Sequence, residues 1–382
     1  MNMLLPFLVL TALLWLMCQW HALRRFKLGR LAKRQEREMV NPTLPPISII
    51  ITCHDQLPFL QKNLTTLLEQ DYPEEFEVIV VDMKSTDDTG KWLEYMMERY
   101  THLHYSLCPP SARDISLQRL ALTLGVRSAQ HEWMLFMHPD VTVPNSHWLC
   151  HMSSACKGDV DAVQGFVRYS SQKNWKEKKQ QFFRLWEQML WMPFTKRHSP
   201  YRADGACLCY RRSVFMSHNG FASNATLLEG AETLLVNHNI KKGKCGINVS
   251  PNAIVTQAQP EAEQWKTEQI FFMETRRHKC HTVTYRLLYA SSVLSQILFP
   301  LSAITAAFLL RSNVWGLCIV ASLWLSLLIM QFCSFSYTTR KLGIKVYTFS
   351  FFLLLNLIPV WDLKAWMRWK FTEKRTFRKK FI

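Results

Sequence analysis

Two aspartates, Asp82 and Asp140, occupy positions in the sequence that are typical of phosphate-binding sites. Asp82 follows the apolar run 76–81, and His138-Pro139-Asp140 follows the apolar run 133–137. Ligands of open α/β sheets collect at the carboxyl ends of strands, where both carboxylates would lie. With His138 two residues before it on an extended chain, Asp140 could hold a divalent cation against a phosphate. The alternative for Asp140 is an ordinary aspartate in a strand-to-loop turn.

The elements that must position these residues alternate between strands and helices. Strands are expected at 47–51, 76–81, 102–107 and 133–137, and helices between them at 57–70, 90–100 and 117–129. This alternation is typical of βαβ units and predicts a mostly parallel sheet. Later in the chain we expect strands at 162–168 and 206–210, and helices at 176–192 and 227–237, the last opened by Glu229 and Glu232.

Composition indicates a membrane protein. The chain has 382 residues, a formal charge of +17, a hydrophobic fraction of 48% and 14 Trp. Its basic residues flank apolar segments, as the positive-inside rule describes, so a nucleic-acid partner is not expected. The 11 Cys are odd in number and contain no CxxC pair, which indicates reduced thiols in the cytoplasm.

Apolar segments at both ends predict membrane anchoring. The uncharged run 3–20 precedes basic residues, so we expect an uncleaved anchor with its amino terminus outside and its basic side in the cytoplasm. The runs 287–310 and 314–335 predict a transmembrane hairpin. The run 346–360 is shorter than the roughly 17 residues of a comfortable span, so we expect an interfacial or re-entrant segment, with a third crossing as the alternative.

The expected organisation therefore has five parts. They are an anchor at 1–23, a basic juxtamembrane segment and Pro-rich linker at 24–46, an α/β domain at 47–280, a hairpin at 286–336, and an apolar segment with a basic tail at 345–382.

Three stretches of the α/β region resemble family 2 glycosyltransferases with the GT-A fold. They are Ile47–Asp55, the block Val80–Thr89, in which a strand, Asp82 and Ser85-Thr86-Asp87 precede a helix, and His138-Pro139-Asp140. The resemblance covers roughly 45–277 and is most specific in the second block. It implies a Rossmann-like GT-A domain in the cytoplasm and a nucleotide-diphospho-sugar donor.

On the donor side the resemblance implies contacts with the nucleoside. Asp82 would accept a hydrogen bond from the imide of uracil or an amino group of another base. Thr52 and His54 lie in the loop after the first strand, where His54 could stack on the base. The structural alternatives are a turn carboxylate for Asp82 and a solvated loop histidine for His54. Ser85 and Asp87 are expected to cap the next helix.

Two arginines match positions that would bind the diphosphate. Arg119 lies on the helix before the strand 133–137, and Arg277 belongs to Glu274-Thr-Arg-Arg277, which resembles a Gln-x-x-Arg motif with Glu in place of Gln. Their alternatives are a solvated helix arginine for Arg119 and a juxtamembrane cation on anionic lipid for Arg277.

The cation site departs from the family pattern. The family has two acidic residues at the positions of His138 and Asp140, where they bridge Mg or Mn to the diphosphate. Here only Asp140 is acidic, and His138 is a softer substitute that favours Mn over Mg. The alternative is a weakened or lost cation site.

On the acceptor side the resemblance implies a carboxylate base and a lining segment. An inverting transfer needs a base for the acceptor hydroxyl, and Glu232 matches that position, with Glu229 in reserve. Asp204 and Gly205 lie in the segment expected to line the acceptor. The alternative for Glu232 is a glutamate that stabilises the start of a helix. The alternative for Asp204 and Gly205 is an ordinary turn before a strand.

These features predict an inverting glycosyltransferase at the cytoplasmic face of a bacterial-type inner membrane. It would move a sugar to a lipid-linked or glycan acceptor in contact with membrane lipids, with oligomerisation left open. At His138, Ala231 and Glu274 the sequence departs from the residue pattern of the family. These departures motivate a second hypothesis, a catalytically inactive glycosyltransferase-like membrane scaffold or regulator.

Overall fold

The computed structural model describes residues 4–37, 43–109, 116–170, 173–222, 227–345 and 348–377. The strands in these residues are β1 (Ile47–Cys53), β2 (Phe76–Asp82), β3 (Leu103–Leu107), β4 (Trp133–Met137), β5 (Val141–Thr142), β6 (Ala162–Gly165), β7 (Val167–Tyr169), β8 (Leu208–Arg211), β9 (Cys245–Asn248) and β10 (Val255–Gln257).

Seven strands form the central sheet in the order β3-β2-β1-β4-β8-β6-β9. Strands β1 to β4 run parallel, β8 is antiparallel to both of its neighbours, and β9 is parallel to β6. The expectation of an α/β domain with a mostly parallel sheet is therefore confirmed. In β1 the side chains of Ile49 and Ile51 enter one core and that of Ile50 enters the other. A strand covered on both faces needs this continuous apolar run.

A second sheet has the order β5-β10-β7 and lies beside the end of β4. The single strand expected at 162–168 is wrong. The chain changes sheets at Phe166, because Gly165 pairs with Asn248 of β9 whereas Val167 pairs with Val255 of β10.

The helices of the soluble domain are α2 (Leu57–Leu68), α3 (Thr89–Arg99), α4 (Leu117–Ser128), α5 (Trp148–Ser153), α6 (Trp175–Thr195), α7 (Arg212–Ser217), α8 (Ala231–Asn239) and α9 (Ala262–Thr275). Helix α8 begins at Ala231 rather than near 227 as expected. Gly230 precedes it with φ of 78°, a left-handed conformation that cannot continue a helix, so Glu229 lies before α8 and Glu232 within its first turn.

Four further helices are long and apolar enough to cross a membrane: α1 (Leu4–Arg37), α10 (Val283–Leu309), α11 (Val314–Lys341) and α12 (Thr348–Phe371). Helix α1 packs against α10 and α11, where the Trp15 indole donates to the Leu323 carbonyl at 3.0 Å and the Cys18 thiol donates to the Ser295 carbonyl at 3.3 Å. These helices support membrane association of the chain.

The basic stretch after the first span is part of α1. The juxtamembrane residues expected from 24 onward are helical, because α1 continues to Arg37 and spans about 51 Å at 1.5 Å per residue. Leu28 and Ala32 are fully buried against the soluble domain. Gln35 donates to the Ile247 carbonyl at 2.8 Å and accepts from the Val249 amide at 2.9 Å. The anchor is thus fixed rigidly to the sheet through β9.

The third carboxy-terminal apolar run belongs to a longer helix than its sequence suggested. Helix α12 has 24 residues, so the argument from shortness was wrong. Near its start the ring of Phe351 lies 5.9 Å from that of Phe182 in α6, and near its end Trp369 donates to Glu274 of α9 at 2.9 Å. A helix about 36 Å long that crossed a 30 Å core could not contact the soluble domain at both ends. These contacts favour the expected interfacial placement over a third crossing.

Candidate active site

Asp82 ends β2 at the carboxyl edge of the sheet, beside Cys53 of β1. It is buried, and its Oδ1 accepts hydrogen bonds from the Ser85 amide at 2.8 Å and the Ser85 hydroxyl at 2.6 Å. The Tyr105 hydroxyl lies 3.5 Å from Oδ2. Ser85 therefore fixes the Asp82 carboxylate, and the expectation that Ser85 caps α3 is wrong.

Asp55 joins the loops that follow β1 and β2. Its backbone has φ of 50°, and its Oδ1 accepts from the Thr86 amide at 2.6 Å and the Asp87 amide at 3.3 Å. The Thr86 amide, followed by the Thr86 hydroxyl, holds the pKa of Asp55 below its ordinary value. Asp87 accepts from the Thr89 amide at 3.1 Å, but the N-cap residue of α3 is Asp88, so the expectation that Asp87 caps the helix is wrong. The two loops therefore form one rigid rim around Asp82.

Thr52 and His54 lie at the same edge. Thr52 is the buried penultimate residue of β1. The His54 side chain is 51% exposed, and its Nε2 is 3.5 Å from Asp55 Oδ2. An exposed imidazole held at the rim remains available for stacking on a ligand.

Asp140 is held between the two sheets. It lies between β4 and β5, its carbonyl accepts from the Ala258 amide at 3.0 Å, and its carboxylate accepts from Gln257 Nε2 at 3.1 and 3.4 Å. His138, at the end of β4, is partly exposed. The neutral Gln257 donor orients the Asp140 carboxylate without neutralising its charge.

Arg184 of α6 connects Asp140 to the acceptor side. One guanidinium nitrogen donates to Gln257 Oε1 at 2.7 Å and another to Asp204 Oδ2 at 2.5 Å. Because Arg184 occupies Oε1, the Gln257 amide must direct Nε2 toward Asp140. Burial alone would raise the pKa of Asp204, yet Arg184, followed by His138, holds it below its ordinary value. Asp204 is thus a structural anion of this network.

Gly205 makes room for Glu232. A Cβ on Gly205 would lie 2.6 Å from both Cδ and Oε1 of the Glu232 side chain. No side chain other than hydrogen fits there without displacing the carboxylate. Glu232 is buried at the start of α8, where the helix dipole favours its negative charge. The structure thus brings two of the predicted acceptor-side residues into contact.

Arg119 has a different environment from the one expected. It is buried, and its guanidinium donates to the carbonyls of Leu227 at 2.8 Å and Glu229 at 3.1 Å. Burial lowers its pKa to about 10, opposed by Glu232 and Glu229, so it remains cationic at neutral pH. Contact with a diphosphate would require these bonds to break. In this structure Arg119 positions residues 227–232, which contain Glu229 and Glu232 and are called the acidic segment below.

Glu229 lies just before α8. Its side chain is exposed to solvent on one side, and protein atoms crowd it on the other. Loss of solvation and then the neighbouring Glu232 raise its pKa to about 7, while His138 acts in the opposite direction. Two carboxylates with this coupling, close to the end of β4, are suited to proton transfer near neutral pH.

The Glu274–Arg277 segment adjoins this acidic segment. A Cβ on Gly230 would meet the Thr275 side chain at 2.5 Å, so the start of α8 lies directly against the end of α9. Glu274 is buried and bonded to Trp369, and Arg277 lies 3.8 Å from it. The Arg277 side chain is 49% exposed, which leaves it able to contact a ligand.

Comparison with known proteins identifies the domain. Residues 48–218 match the family model described as glycosyl transferase family 2. Over these residues the chain is similar to family 2 glycosyltransferases. This domain includes the Asp82 and His138–Asp140 motifs, and the mostly parallel sheet is that of the GT-A fold. No curated protein matches the chain by sequence.

Two solved structures are similar to this chain. A mannosyltransferase, PcManGT from Pyrobaculum calidifontis, in complex with GDP-Man and Mn2+, has 18% identity and a TM-score of 0.50 over 91% of this chain and 99% of its own. S. aureus TarS 1-349 in complex with UDP-GlcNAc has 14% identity and a TM-score of 0.46 over 82% of this chain and 91% of its own.

Few side chains near Asp140 could act as ligands of a divalent cation. Among the described residues no cluster of three His, Cys, Asp or Glu side chains could hold a metal ion. Mg²⁺ sites that act on nucleotides commonly use one or two carboxylates and complete their shell with phosphate oxygens and water. Asp140 suits that arrangement, because its only described side-chain donor is the neutral Gln257 amide.

Three residues of the site were not found by sequence reasoning. Asp55, Arg184 and Gln257 lie far apart along the chain and act only through tertiary contacts. Arg184 carried a weak signal, because it interrupts the aromatic run Phe182-Phe183-Arg184-Leu185-Trp186 on the buried side of a helix. A charge in such a run needs a buried partner.

Proposed function

We propose that the protein is an inverting glycosyltransferase that moves a sugar from a nucleotide-diphospho-sugar to an amphiphilic or glycan acceptor at the cytoplasmic membrane face. The observation that carries this proposal is the carboxylate pair, in which Glu232 lies against Gly205 and Glu229 is within electrostatic reach of Glu232 and His138. Asp82 ends β2 and Asp140 follows β4, so both belong to the sheet edge at which ligands of open α/β sheets bind.

The proposed reaction is a single displacement. The acceptor oxygen attacks the anomeric carbon, the bond from that carbon to the diphosphate breaks, and the nucleoside diphosphate leaves. Glu232 takes the acceptor hydroxyl proton, with Glu229 as the alternative base. Attack from the face opposite the leaving group inverts the anomeric centre.

Donor binding is assigned to the rim around Asp82. Asp82 would accept from the base, His54 would stack on it, and Thr52 would lie beneath it. The two structures compared above were solved with GDP-Man and UDP-GlcNAc, so both donors are candidates. Arg277 would neutralise the leaving diphosphate, because its guanidinium is exposed beside the acidic segment.

A divalent cation would be held by Asp140, with His138 as a second donor and the diphosphate oxygens completing its shell. When bound, it would stabilise the negative charge of the leaving group. Mn2+ is the first candidate, since PcManGT was solved with that ion and an imidazole favours Mn over Mg.

The membrane arrangement is part of the proposal. We place the amino terminus outside, α1 and the α10–α11 hairpin across the membrane, and α12 along its cytoplasmic surface. The catalytic domain then lies directly under the bilayer, in a bacterial-type inner membrane. An acceptor that carries a lipid could reach Glu232 without leaving the membrane.

Nucleotide-sugar turnover by the purified full chain tests the function. We expect release of nucleoside diphosphate from GDP-mannose or UDP-GlcNAc that increases with Mn2+. Asp140→Asn should reduce it by about 10²-fold or more, because charge stabilisation at the diphosphate is lost. Asp88→Asn is the matched control, since Asp88 is 72% exposed and forms a surface ion pair with Lys91.

A catalytically inactive scaffold remains the second candidate. It is favoured by the single carboxylate at the cation position and by Glu274, which is buried against Trp369. This candidate predicts nucleotide binding without turnover for both donors. Absence of nucleotide binding by calorimetry at millimolar ligand would exclude the enzyme.

A further inference from the structure

Helix α8 carries two buried polar side chains that the proposed reaction does not use. Thr233 and Asn237 are 6% and 2% exposed. Because they are four residues apart, they lie on the same face of the helix. A buried polar group is costly unless it is hydrogen-bonded, so the partners of these two residues show what this face of α8 holds.

The first partner is the chain segment that leads to Gly205. The Thr233 hydroxyl donates to the Ala203 carbonyl at 2.7 Å and accepts from the Ala203 amide at 3.3 Å. Asn237 Nδ2 donates to the Pro200 carbonyl at 2.8 Å. One face of α8 therefore holds both ends of this segment.

The second partner is the connection between α9 and α10, residues 276–282. Asn237 Nδ2 also donates to the Cys280 carbonyl at 3.1 Å, and Asn237 Oδ1 accepts from the Cys280 amide at 2.7 Å. The neighbouring His238 donates from Nε2 to the His278 carbonyl at 2.6 Å. Helix α10, the first helix of the membrane hairpin, begins directly after this connection. The last turn of α8 is therefore joined to the start of the hairpin.

Asn237 joins these segments through a single amide group. Its two Nδ2 hydrogens and its Oδ1 are all engaged. Leucine, of similar size, has no donor or acceptor, and an ionised aspartate has acceptors only. Asn237 therefore fixes the position of α8 relative to both segments in a way that neither of these residues could reproduce.

We propose that Asn237 is a positioning residue for the general base of the reaction. By tying α8 to the segment before Gly205 and to the start of the membrane hairpin, it holds the Glu232 carboxylate in its place against Gly205. That place is narrow, since a Cβ on Gly205 would lie 2.6 Å from the carboxyl carbon. A misplacement of about 1 Å at a reacting group can lower a rate by about 10²-fold. The inference rests on the proposed function, because it assigns a role in the same reaction.

Turnover and nucleotide binding by the purified full chain test this role. Asn237→Leu keeps the approximate size of the side chain and removes all three bonds, so kcat should fall by about tenfold or more. The Kd for GDP or UDP, measured by calorimetry, should stay within about twofold, because other elements form the rim around Asp82. A general loss of structure would not separate kcat from nucleotide binding in this way.

Asn248→Leu is the matched control. Asn248 is also 2% exposed. Its Nδ2 donates to the carbonyls of His151 at 2.8 Å and Met152 at 3.2 Å, and its Oδ1 accepts from the Ser250 amide at 3.1 Å. These bonds join β9, the edge strand of the sheet, to α5. Both leucine variants should lower the thermal unfolding midpoint, but Asn248→Leu should leave kcat within about twofold of the unmodified protein.

Thr233→Val is a second variant that keeps Asn237 in place. It removes only the bonds to Ala203, so it should lower kcat by less than Asn237→Leu does and leave nucleotide binding unchanged. If Asn237→Leu does not fold, this milder variant decides the question, and an unchanged kcat in it would overturn the proposal.

Hydrogen exchange of the backbone amides gives a readout that needs no turnover. In Asn237→Leu the amides of residues 200–206 and of the connection 276–282 should exchange faster by about tenfold or more, whereas Asn248→Leu should leave them unchanged. Unchanged exchange or unchanged kcat in Asn237→Leu, or an equal loss of kcat in Asn248→Leu, would overturn the positioning role. Absence of turnover in the unmodified protein would instead contradict the proposed function, and the exchange rates would still decide whether Asn237 holds these segments together.

Discussion

The carboxylates of Glu229 and Glu232 are coupled through their charges. Glu229 is open to the cleft with a pKa raised to about 7, whereas Glu232 is buried against Gly205. The raised value means that Glu229 loses its proton as the pH rises through the neutral range.

This coupling predicts a pH-dependent turnover. Glu232→Gln should lower kcat by about 10²- to 10⁴-fold, as loss of a general base does. In the unmodified protein turnover should rise as the pH increases through about 7, when Glu229 ionises beside Glu232. Glu229→Gln should retain most of the turnover and lack this rise. Greater loss in Glu229→Gln than in Glu232→Gln would assign the base to Glu229 instead.

Gly205 is the most constrained residue of the acceptor side. Gly205→Ala should reduce kcat by about tenfold or more, because the added Cβ would occupy space within 2.6 Å of the Glu232 carboxyl carbon. The matched control is Gly246→Ala in β9, where the Cβ would meet Val163 at 3.3 Å. Both variants should fold, as judged by thermal unfolding. Equal effects on kcat would show that the contact with Glu232 does not matter.

Residues at strand ends were the ones that sequence could locate. Asp82 and Asp140 follow apolar runs, so the rule for parallel sheets placed them at one edge. Arg184 and Gln257 could not be located in the same way, since their roles depend on α6 and β10 meeting near Asp204 and Asp140. The hydrophobic periodicity of the sequence does not predict that contact between α6 and β10.

At the scale of elements, α6 connects the two halves of the site. Its Arg184 links Asp204, which precedes β8, to Gln257 at the end of β10. The side chains of Arg184 and Asp204 are 12% and 19% exposed, so this pair is well shielded from water. Such a pair fixes the relative position of the elements it joins, even where its net contribution to the free energy of folding is small.

Removing one partner should therefore be costly. Arg184→Met should lower the free energy of unfolding by about 3–5 kcal/mol, because it leaves the buried Asp204 carboxylate without its counter-ion. The double variant with Arg184→Met and Asp204→Asn should recover part of this loss. Lys91→Met, which breaks the exposed pair with Asp88, should cost less than about 1 kcal/mol. If the double variant is as unstable as the sum of both single variants, the pair is not coupled.

Element boundaries were less predictable than element types. The change of sheet at Phe166 could not be predicted, because it depends on the flanking strands pairing with different partners, Asn248 and Val255, far along the chain. The start of α8 did have a sequence signal in Gly230, whose left-handed backbone ends the preceding turn. The sequence suggested a helix start near 227, about four residues too early.

At the scale of the whole molecule, the soluble domain is fixed to the membrane helices on two sides. Helix α1 reaches β9 through Gln35, and α12 lies between α6, α9 and the ends of α10 and α11. Composition predicted the anchors, but it could not show that α12 contacts the soluble domain along its length. That depends on aromatic contacts between segments more than 150 residues apart, such as Phe351 with Phe182.

This arrangement predicts a cytoplasmic carboxy terminus. If α12 lies along the membrane surface, a reporter fused after residue 382 should be active in the cytoplasm and inactive outside, and a reporter in the turn at 311–313 should show the opposite. Phe351→Ala should weaken docking of α12 and increase protease cleavage after α11, because the ring packs against α6 and α11. Val360→Ala is the control, since Val360 is 56% exposed on the same helix. An external carboxy terminus would contradict the interfacial placement and would leave the contact between Trp369 and Glu274 without a route to form.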